Sequence, residues 1–258
     1  MADILIIDEI SMISGKYIDR LDALLKIIRE SMKPFGGLKI ILCGDFYQLP
    51  PVSQGGEIDY AFASESWERL SLVNCLLDEQ HRQKQDALNE LLVALRDRKF
   101  SKHYLDILTA RQGLKLPQTT MLLTHNSDVD KINIGRLESV KGKSFTYKMR
   151  YEGDKQAGLK LASNILSPSE LILKVGAKVM FTANDFATGY VNGSQGIVVS
   201  FKSGLPVVEL ETNSKRITVE TKVWKYSAEG KTEAEVYQLP LRLAWAITIH
   251  KSLRCLPC

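Results

Sequence analysis

The sequence predicts an α/β fold that carries a β-rich insertion, and three observations predict it. Two apolar runs that end in acid, ILIID at residues 4–8 and LKIILCGD at 38–45, flank a segment with helical spacing. A third apolar run, TTMLLTH at 119–125, precedes another helical segment. From residue 144 short alternating segments punctuated by Gly, Pro and Asn take over, until an apolar run returns at LPLRLAWAITIHKS, residues 239–252.

Ile4 to Asp8 reads as a buried parallel strand, because a short continuous apolar run fits a strand covered on both faces. Ser14 is placed to cap the helix that follows. Ile18, Leu21, Leu25, Ile28 and Met32 step by three and four along one face of that helix, and Pro34 with Gly36 and Gly37 ends it. Strand, helix, strand at this spacing is a βαβ unit, so the two strands are expected to be parallel, with Asp8 and Asp45 at one edge. Ligands of such sheets bind outside the carboxyl ends of the strands. Residues 84–110 are helix-like, with Leu88, Leu91, Leu92 and Leu95 as an apolar stripe and Pro117 as a break. The run at 119–125 predicts another buried strand, with a helix from Asn126 to about Val140, and starts a second α/β domain. KSFTYKMRY, LKVGAKVMFTAND, GIVVSF, PVVELET and KRITVETKVW then predict short strands. There is no internal repeat and no low-complexity segment.

The 258 residues suffice for one or two domains with real cores. A net charge of +4 permits a nucleic-acid partner without requiring one. The apolar runs are too short to span a bilayer, and the acidic first residues do not read as a signal peptide. Cys43 and Cys75 sit in apolar context and read as reduced core residues of a reducing compartment. Cys255 and Cys258 have metal or redox spacing but lack a second ligand pair, so no zinc site is expected.

Asp8 and Glu9 end the first strand in the pattern of a Walker B strand. Magnesium takes hard oxygen ligands and keeps several waters, so one strand-end carboxylate, Asp8, can hold it. The adjacent Glu9 can orient or deprotonate an attacking water. A pair of solvated acids is the plainer alternative for that segment alone. GDFYQLPPV, residues 44–52, changes the balance. Gln48 falls just past the second strand, where a neutral amide can touch both a γ-phosphate and its attacking water; Gly, Pro and Asp also make ordinary turns. In DEQHRQ, residues 78–83, Arg82 can clamp a transferring phosphate or lie on the surface. Thr248, His250, Lys251 and Ser252 suit a nucleic-acid backbone, or form a polar element end. Thr124 and Asn126 repeat that chemistry at a strand-to-helix junction, where Asn126 can equally be an N-cap. A phosphate loop, G-x-x-x-x-G-K-[ST], is absent. Gly142-Lys143-Ser144 needs glycine at Leu137, and Gly230-Lys231-Thr232 needs it at Lys225.

The run from Ser11 to Val52 resembles the signature region of the PIF (petite integration frequency) DNA helicases, superfamily-one motors related to RecD. The resemblance continues through HRQ, through KVGAKVMFTANDFATGYVNGSQGIV at 174–198, and through LPLRLAWAITIHKS, to about Ser252. It implies two RecA-like domains, with ATP in the cleft between them and single-stranded or forked DNA across them. It implies ATP-dependent unwinding from the five-prime end, of the kind used in DNA repair, recombination and telomere maintenance. Carried over by residue, Asp8 binds Mg2+, Glu9 is the catalytic base, Gln48 senses the γ-phosphate and Arg82 contacts it. Thr248, His250 and Lys251 meet the DNA. The expected division is 1–83, the carboxyl-terminal part of the first RecA-like domain; 84–117, a helical connection; 118–195 and 241–258, the second RecA-like domain; and 196–240, a small SH3-like β barrel.

The sequence departs from the family pattern in three places. The phosphate loop is missing, after Ser252 the family's Gln-Gly is replaced by Leu253-Arg254, and the family's final motif, with its second arginine finger, is missing. These departures lead to the expectation of an incomplete tandem of RecA-like domains, a fragment inactive alone. The competing expectations are a non-catalytic remnant that binds single-stranded nucleic acid and a product without function. A monomer is expected, inside the cell: in the nucleus or mitochondrion of a eukaryote, or the cytoplasm of a bacterial or viral host.

Overall fold

A computed structural model describes residues 2–53, 56–77, 79, 87–114, 119–228, 231–249 and 252. The chain divides into two compact units, 1–112 and 113–258. Arg82, His250, Lys251, Cys255 and Cys258 lie outside the described residues.

In the first unit, β1 (Ile4–Ile7) leads through a short 3-10 turn to α1 (Gly15–Ile28), and β2 (Lys39–Leu42) follows. The strands pair in parallel with Ile7 opposite Leu42, as the βαβ spacing predicts. Ser14 caps α1, its hydroxyl accepting from the Tyr17 N–H at 3.2 Å. The helix stops earlier than the apolar stripe suggests. Glu30 adopts a left-handed conformation at φ 50°, which terminates a helix, and Met32 lies beyond it, 86% exposed. Then come α2 (Glu65–Glu68), α3 (Ala87–Arg96) and α4 (Lys102–Arg111), so the helix-like span of 84–110 is two helices among the described residues.

The core of this unit is Ile7, Ile10, Ile18, Phe35 and Ala61, with Leu21, Leu25, Phe46 and Trp67 packed against it. Asp22 fastens it. This buried carboxylate takes Lys26 Nζ at 2.5 Å, the Phe35 N–H at 2.6 Å and Ser66 Oγ at 3.3 Å. Burial pushes its pKa up, but the hydrogen bonds from Lys26, Phe35 and Ser66 outweigh that and hold it below the usual carboxylate range. Gly36 is required where the turn meets α1, because a Cβ there would stand 2.5 Å from the Leu25 carbonyl oxygen.

The strands here are not buried on both faces. Ile4, Ile6 and Ile41 are 50%, 63% and 41% exposed, while Leu5, Ile7, Ile40 and Leu42 face the core cluster. Alternation across a strand puts α1 and the core on one face only. Cys43 and Cys75 are free but exposed, not core residues; Cys43 continues the uncovered face of β2.

In the second unit, β3 (Met121–Leu123) is followed by α5 (Asn126–Ser139), then β4 (Phe145–Lys148), β5 (Arg150–Gly153), α6 (Lys155–Asn164), β6 (Glu170–Leu173) and β7 (Lys178–Phe181). Next come β8 (Gln195–Lys202), β9 (Leu205–Leu210), β10 (Arg216–Thr218), β11 (Lys222–Ala228) and β12 (Lys231–Gln238). The last two strands are β13 (Leu241–Leu243) and β14 (Ala246–Thr248). The spatial orders are β10-β9-β8-β7-β13, β11-β12-β5, β4-β6 and β14-β3. Among the described residues the 196–240 segment is β, as its alternation predicts, but its strands do not stand by themselves. β8 pairs with β7, β12 with β5, and β13 joins the five-stranded sheet through β7. The ladder therefore has no boundary at 196 or 240. The β texture also concealed α6, which Asp154 caps by accepting from the Ala157 N–H at 2.8 Å.

β14 pairs with β3 in parallel, so the chain returns to the second α/β element after the β-rich segment, as expected. β3 is not a buried strand: Met121 and Leu122 are 45% and 56% exposed. Asn133 of α5 clamps β14 from the other side, donating to the Ala246 carbonyl at 2.9 Å and accepting from its N–H at 3.0 Å. The main core of this unit gathers Leu171, Val179, Phe181, Val198, Val208 and Leu241, with the Tyr190 ring stacked on Phe181 at 4.0 Å. No described helix is long and apolar enough to cross a membrane.

Candidate functional site

The carboxyl ends of β1 and β2 are joined by more than their ladder. Cys43 N–H donates to the Ile7 carbonyl at 2.8 Å, and Ile10 N–H returns a bond to the Cys43 carbonyl at 3.0 Å. Gly44 makes that approach possible: a Cβ on it would lie 2.9 Å from the Ile10 nitrogen. The segment after β1, with Asp8 and Glu9, is thus bound to the segment that leads to Gln48.

Asp8 is exposed, and its Oδ1 accepts from the Glu9 N–H at 2.9 Å. Oδ2 makes no hydrogen bond among the described residues, so the carboxylate keeps an oxygen for a hard cation. Among those residues no group of three His, Cys, Asp or Glu surrounds a metal position. That donor set fits Mg2+, which needs one or two carboxylates together with phosphate oxygens and water. Glu9 sits in the left-handed region at φ 52°, ψ 45°, a sparsely populated conformation for a residue with a Cβ. Glu9 is the N-cap of the 3-10 turn of Ile10–Met12, with no hydrogen bond from its side chain to the cap.

Gln48 is exposed on a turn organised by Asp45. Its N–H donates to the Asp45 carbonyl at 2.9 Å, and its Nε2 donates to Asp45 Oδ2 at 3.3 Å. Arg96 of α3 reaches the same carboxylate at 3.0 Å and lies over the Tyr47 ring at 5.4 Å. Sequence reasoning treated Asp45 as an edge marker and passed over Arg96, because no local pattern links residues 51 positions apart. Ser11, two residues past Glu9, is 1% exposed, and its hydroxyl has no hydrogen-bond partner among the described residues.

In the second unit β3 and β14 run in parallel with Thr248 opposite Leu123, so residues 124–126 and Ile249 leave the same sheet edge. Thr124 and Asn126 are exposed there, and Thr124 Oγ1 lies 2.7 Å from His125 Nδ1. His125, not Asn126, is the N-cap of α5. Thr248 is 4% exposed, buried with the rest of β14. Charge is unevenly divided. Residues 1–112 hold 14 Lys/Arg against 17 Asp/Glu, net −3, and residues 113–258 hold 20 against 13, net +7.

Residues 1–113 match the family described as PIF1-like helicase. An ATP-dependent DNA helicase PIF1 of Danio rerio is 38% identical over 96% of this chain and 40% of its own length. A crystal structure of Bacteroides sp Pif1 in complex with ADP-AlF4 superposes with a TM-score of 0.80 at 29% identity, covering 97% of this chain and 61% of that one. A crystal structure of Bacteroides Pif1 bound to ssDNA superposes at 0.63 with 30% identity, covering 97% of this chain and 62% of that one. The chain spans about two fifths of the length of the Danio rerio protein. Over 96% of its own length, the chain is a relative of the PIF1 helicases.

Proposed function

We propose that the chain is the water-activating and DNA-contacting portion of an ATP-dependent DNA helicase that unwinds from the five-prime end. The observation that carries this reading is the parallel β1–β2 pair, whose carboxyl ends bring Asp8, Glu9 and the Gln48 turn to one edge, tied by the Ile10–Cys43 bond. The relatives' names and the ADP-AlF4 and ssDNA complexes support it. The parallel β3–β14 pair, formed from either side of the β-rich segment, supports two RecA-like elements, 1–83 and 118–195 with 241–258. The segment between, centred on 196–240, corresponds to an SH3-like insertion.

Asp8 would hold Mg2+, which would supply charge neutralisation for the phosphates of ATP. Glu9 accepts a proton at its carboxylate from the attacking water. The Gln48 amide, donor and acceptor at once, orients that water against the γ-phosphate, and Arg82 neutralises charge there. Thr124, Asn126, His250 and Lys251 meet the backbone of single-stranded or forked DNA. The protein acts as a monomer inside the cell, where DNA is repaired, recombined and maintained.

The 258 residues include no G-x-x-x-x-G-K-[ST], so the backbone nest and lysine that cradle a triphosphate must be supplied separately. Joining a relative's segment with that loop ahead of residue 1 is expected to give DNA-stimulated ATP hydrolysis. Glu9→Gln should lower it by about 100-fold or more, the range of general-base catalysis. Hydrolysis indifferent to Glu9→Gln removes the assignment. The net +7 of residues 113–258 favours a second reading for the chain by itself, a non-catalytic binder of single-stranded nucleic acid.

A further inference from the structure

Asp45 is the hub of the turn that presents Gln48. Its Oδ1 accepts from the Tyr47 N–H at 3.1 Å and from Arg96 Nη2 at 3.0 Å, and its Oδ2 accepts from Gln48 Nε2 at 3.3 Å. Both oxygens are engaged, so the carboxylate plane sets where the Gln48 amide lies. Asx turns usually hold that plane with local N–H groups alone. Here a planar guanidinium from another helix adds a directional donor, and its stacking on Tyr47 fixes the approach. The Arg96 and Asp45 side chains are 52% and 20% exposed. An exposed pair of this kind contributes little stability. What it supplies is orientation.

We propose that Arg96 is a positioning residue: by gripping Asp45 it sets the orientation of the Gln48 side-chain amide. This deepens the proposed function and rests on its assignment of Gln48 to the γ-phosphate. The same contact anchors the turn to α3, whose first residue, Ala87, stands five positions beyond Arg82 in the chain. One ion pair therefore connects the Gln48 turn to the helix that follows Arg82 in the chain.

The test is NMR of the 15N-labelled chain without nucleotide. It reads the Gln48 side-chain NH2 resonances and the exchange of the Tyr47 main-chain amide, with the Cys43 amide of the β1–β2 ladder as the fold control. Arg96→Ala is expected to move the Gln48 NH2 pair toward the position of a free glutamine and to speed Tyr47 exchange about threefold to fivefold, the scale of an exposed ion pair. Cys43 exchange should be unchanged. Arg96→Lys keeps the charge but not the fork, and should restore Tyr47 protection in part while leaving the Gln48 pair displaced. Gln48 and Tyr47 signals that do not respond to Arg96→Ala overturn the proposal. If Cys43 protection is also lost in that variant, Arg96→Lys decides: a displaced Gln48 pair with Cys43 intact supports the proposal, and an undisplaced pair overturns it. Adding MgATP to the chain with a relative's phosphate-loop segment joined ahead of residue 1 tests the other reading separately. A Gln48 pair that depends on Arg96 but ignores MgATP leaves the positioning role standing and removes Gln48 from the γ-phosphate.

Discussion

The two units of this chain each lay one helix on a pair of parallel strands, yet they fasten that helix with different chemistry: to the turn before β2 and to α2 in the first, to a strand in the second. In the first, α1 is bolted by a charge: Asp22 accepts from Lys26, from the Phe35 N–H on the way to β2, and from Ser66. In the second, α5 is bolted by a neutral amide, Asn133, which serves both main-chain groups of Ala246 in β14. An ionised bolt depends on pH and a neutral one does not. The strands beside these helices differ as well. β14 is buried throughout, whereas β1 leaves Ile4 and Ile6 exposed. The turns that carry Asp8, Glu9 and Gln48 thus belong to the unit whose first strand has less apolar cover and whose helix has a titratable fastening.

The largest effect is expected from Asn133→Ala. Both Ala246 groups lose the amide that serves them, and each buried polar group left without a partner costs about 1–3 kcal/mol. Thermal unfolding followed at the Ala246 amide should show a loss of about 3 kcal/mol in the second unit, with the Cys43 amide of the first unit unaffected. An equal loss in both units would break the comparison.

Asp22→Asn comes next, at about 2 kcal/mol, because a hydrogen bond to a charged group contributes more than a neutral one. It also carries the pH signature. The Asp22 pKa is lowered by folding, so its contribution is present above the unfolded value of about 3.9 and is lost as pH falls through the folded value. The stability of the first unit should therefore fall on acidification below about pH 4 in the unaltered chain, and more gently in Asp22→Asn. Parallel acid profiles for the two proteins would show that Asp22 is not the titrating bolt.

DNA binding sharpens the comparison on the side of the basic unit. Lys251→Ala should reduce the slope of log affinity against log salt by about one, measured by fluorescence anisotropy with single-stranded DNA. Thr248→Val, at a buried position, should leave the affinity of the folded chain unchanged. A loss in Thr248→Val equal to that in Lys251→Ala would return Thr248 to the surface.

The smallest effect belongs to Ser11→Ala. Its hydroxyl is buried without a partner among the described residues, so removing it should change stability by less than about 1 kcal/mol, in the favourable direction. A clear loss in the melting of the first unit would reveal a partner for that hydroxyl.

The sequence carried the β1–α1–β2 topology because a 3.6-residue stripe between two apolar runs allows few other arrangements. It could not show which faces stay uncovered, since Ile4 and Ile6 are as apolar as Ile7. A continuous apolar run has no period from which to read a face. α6 was hidden by β-rich neighbours and by Gly158 in its interior, although Asp154 was a legible cap. Asp8, Glu9 and Gln48 were legible because each follows a strand end within a few residues. Arg96 was not, because its meaning lies in a contact across 51 positions. Asn133 was silent for the same reason: its partner, Ala246, is 113 positions away.

The most direct measurement of the account is phosphate release from ATP by the 258-residue chain, with and without single-stranded DNA, beside Glu9→Gln. If Asp8, Glu9 and Gln48 form the water-activating half of a nucleotide site, these residues alone cannot position a triphosphate. No release above the buffer rate is expected for either protein, with or without DNA. Robust DNA-stimulated release that disappears in Glu9→Gln would contradict it, and would place a phosphate-binding element within these 258 residues.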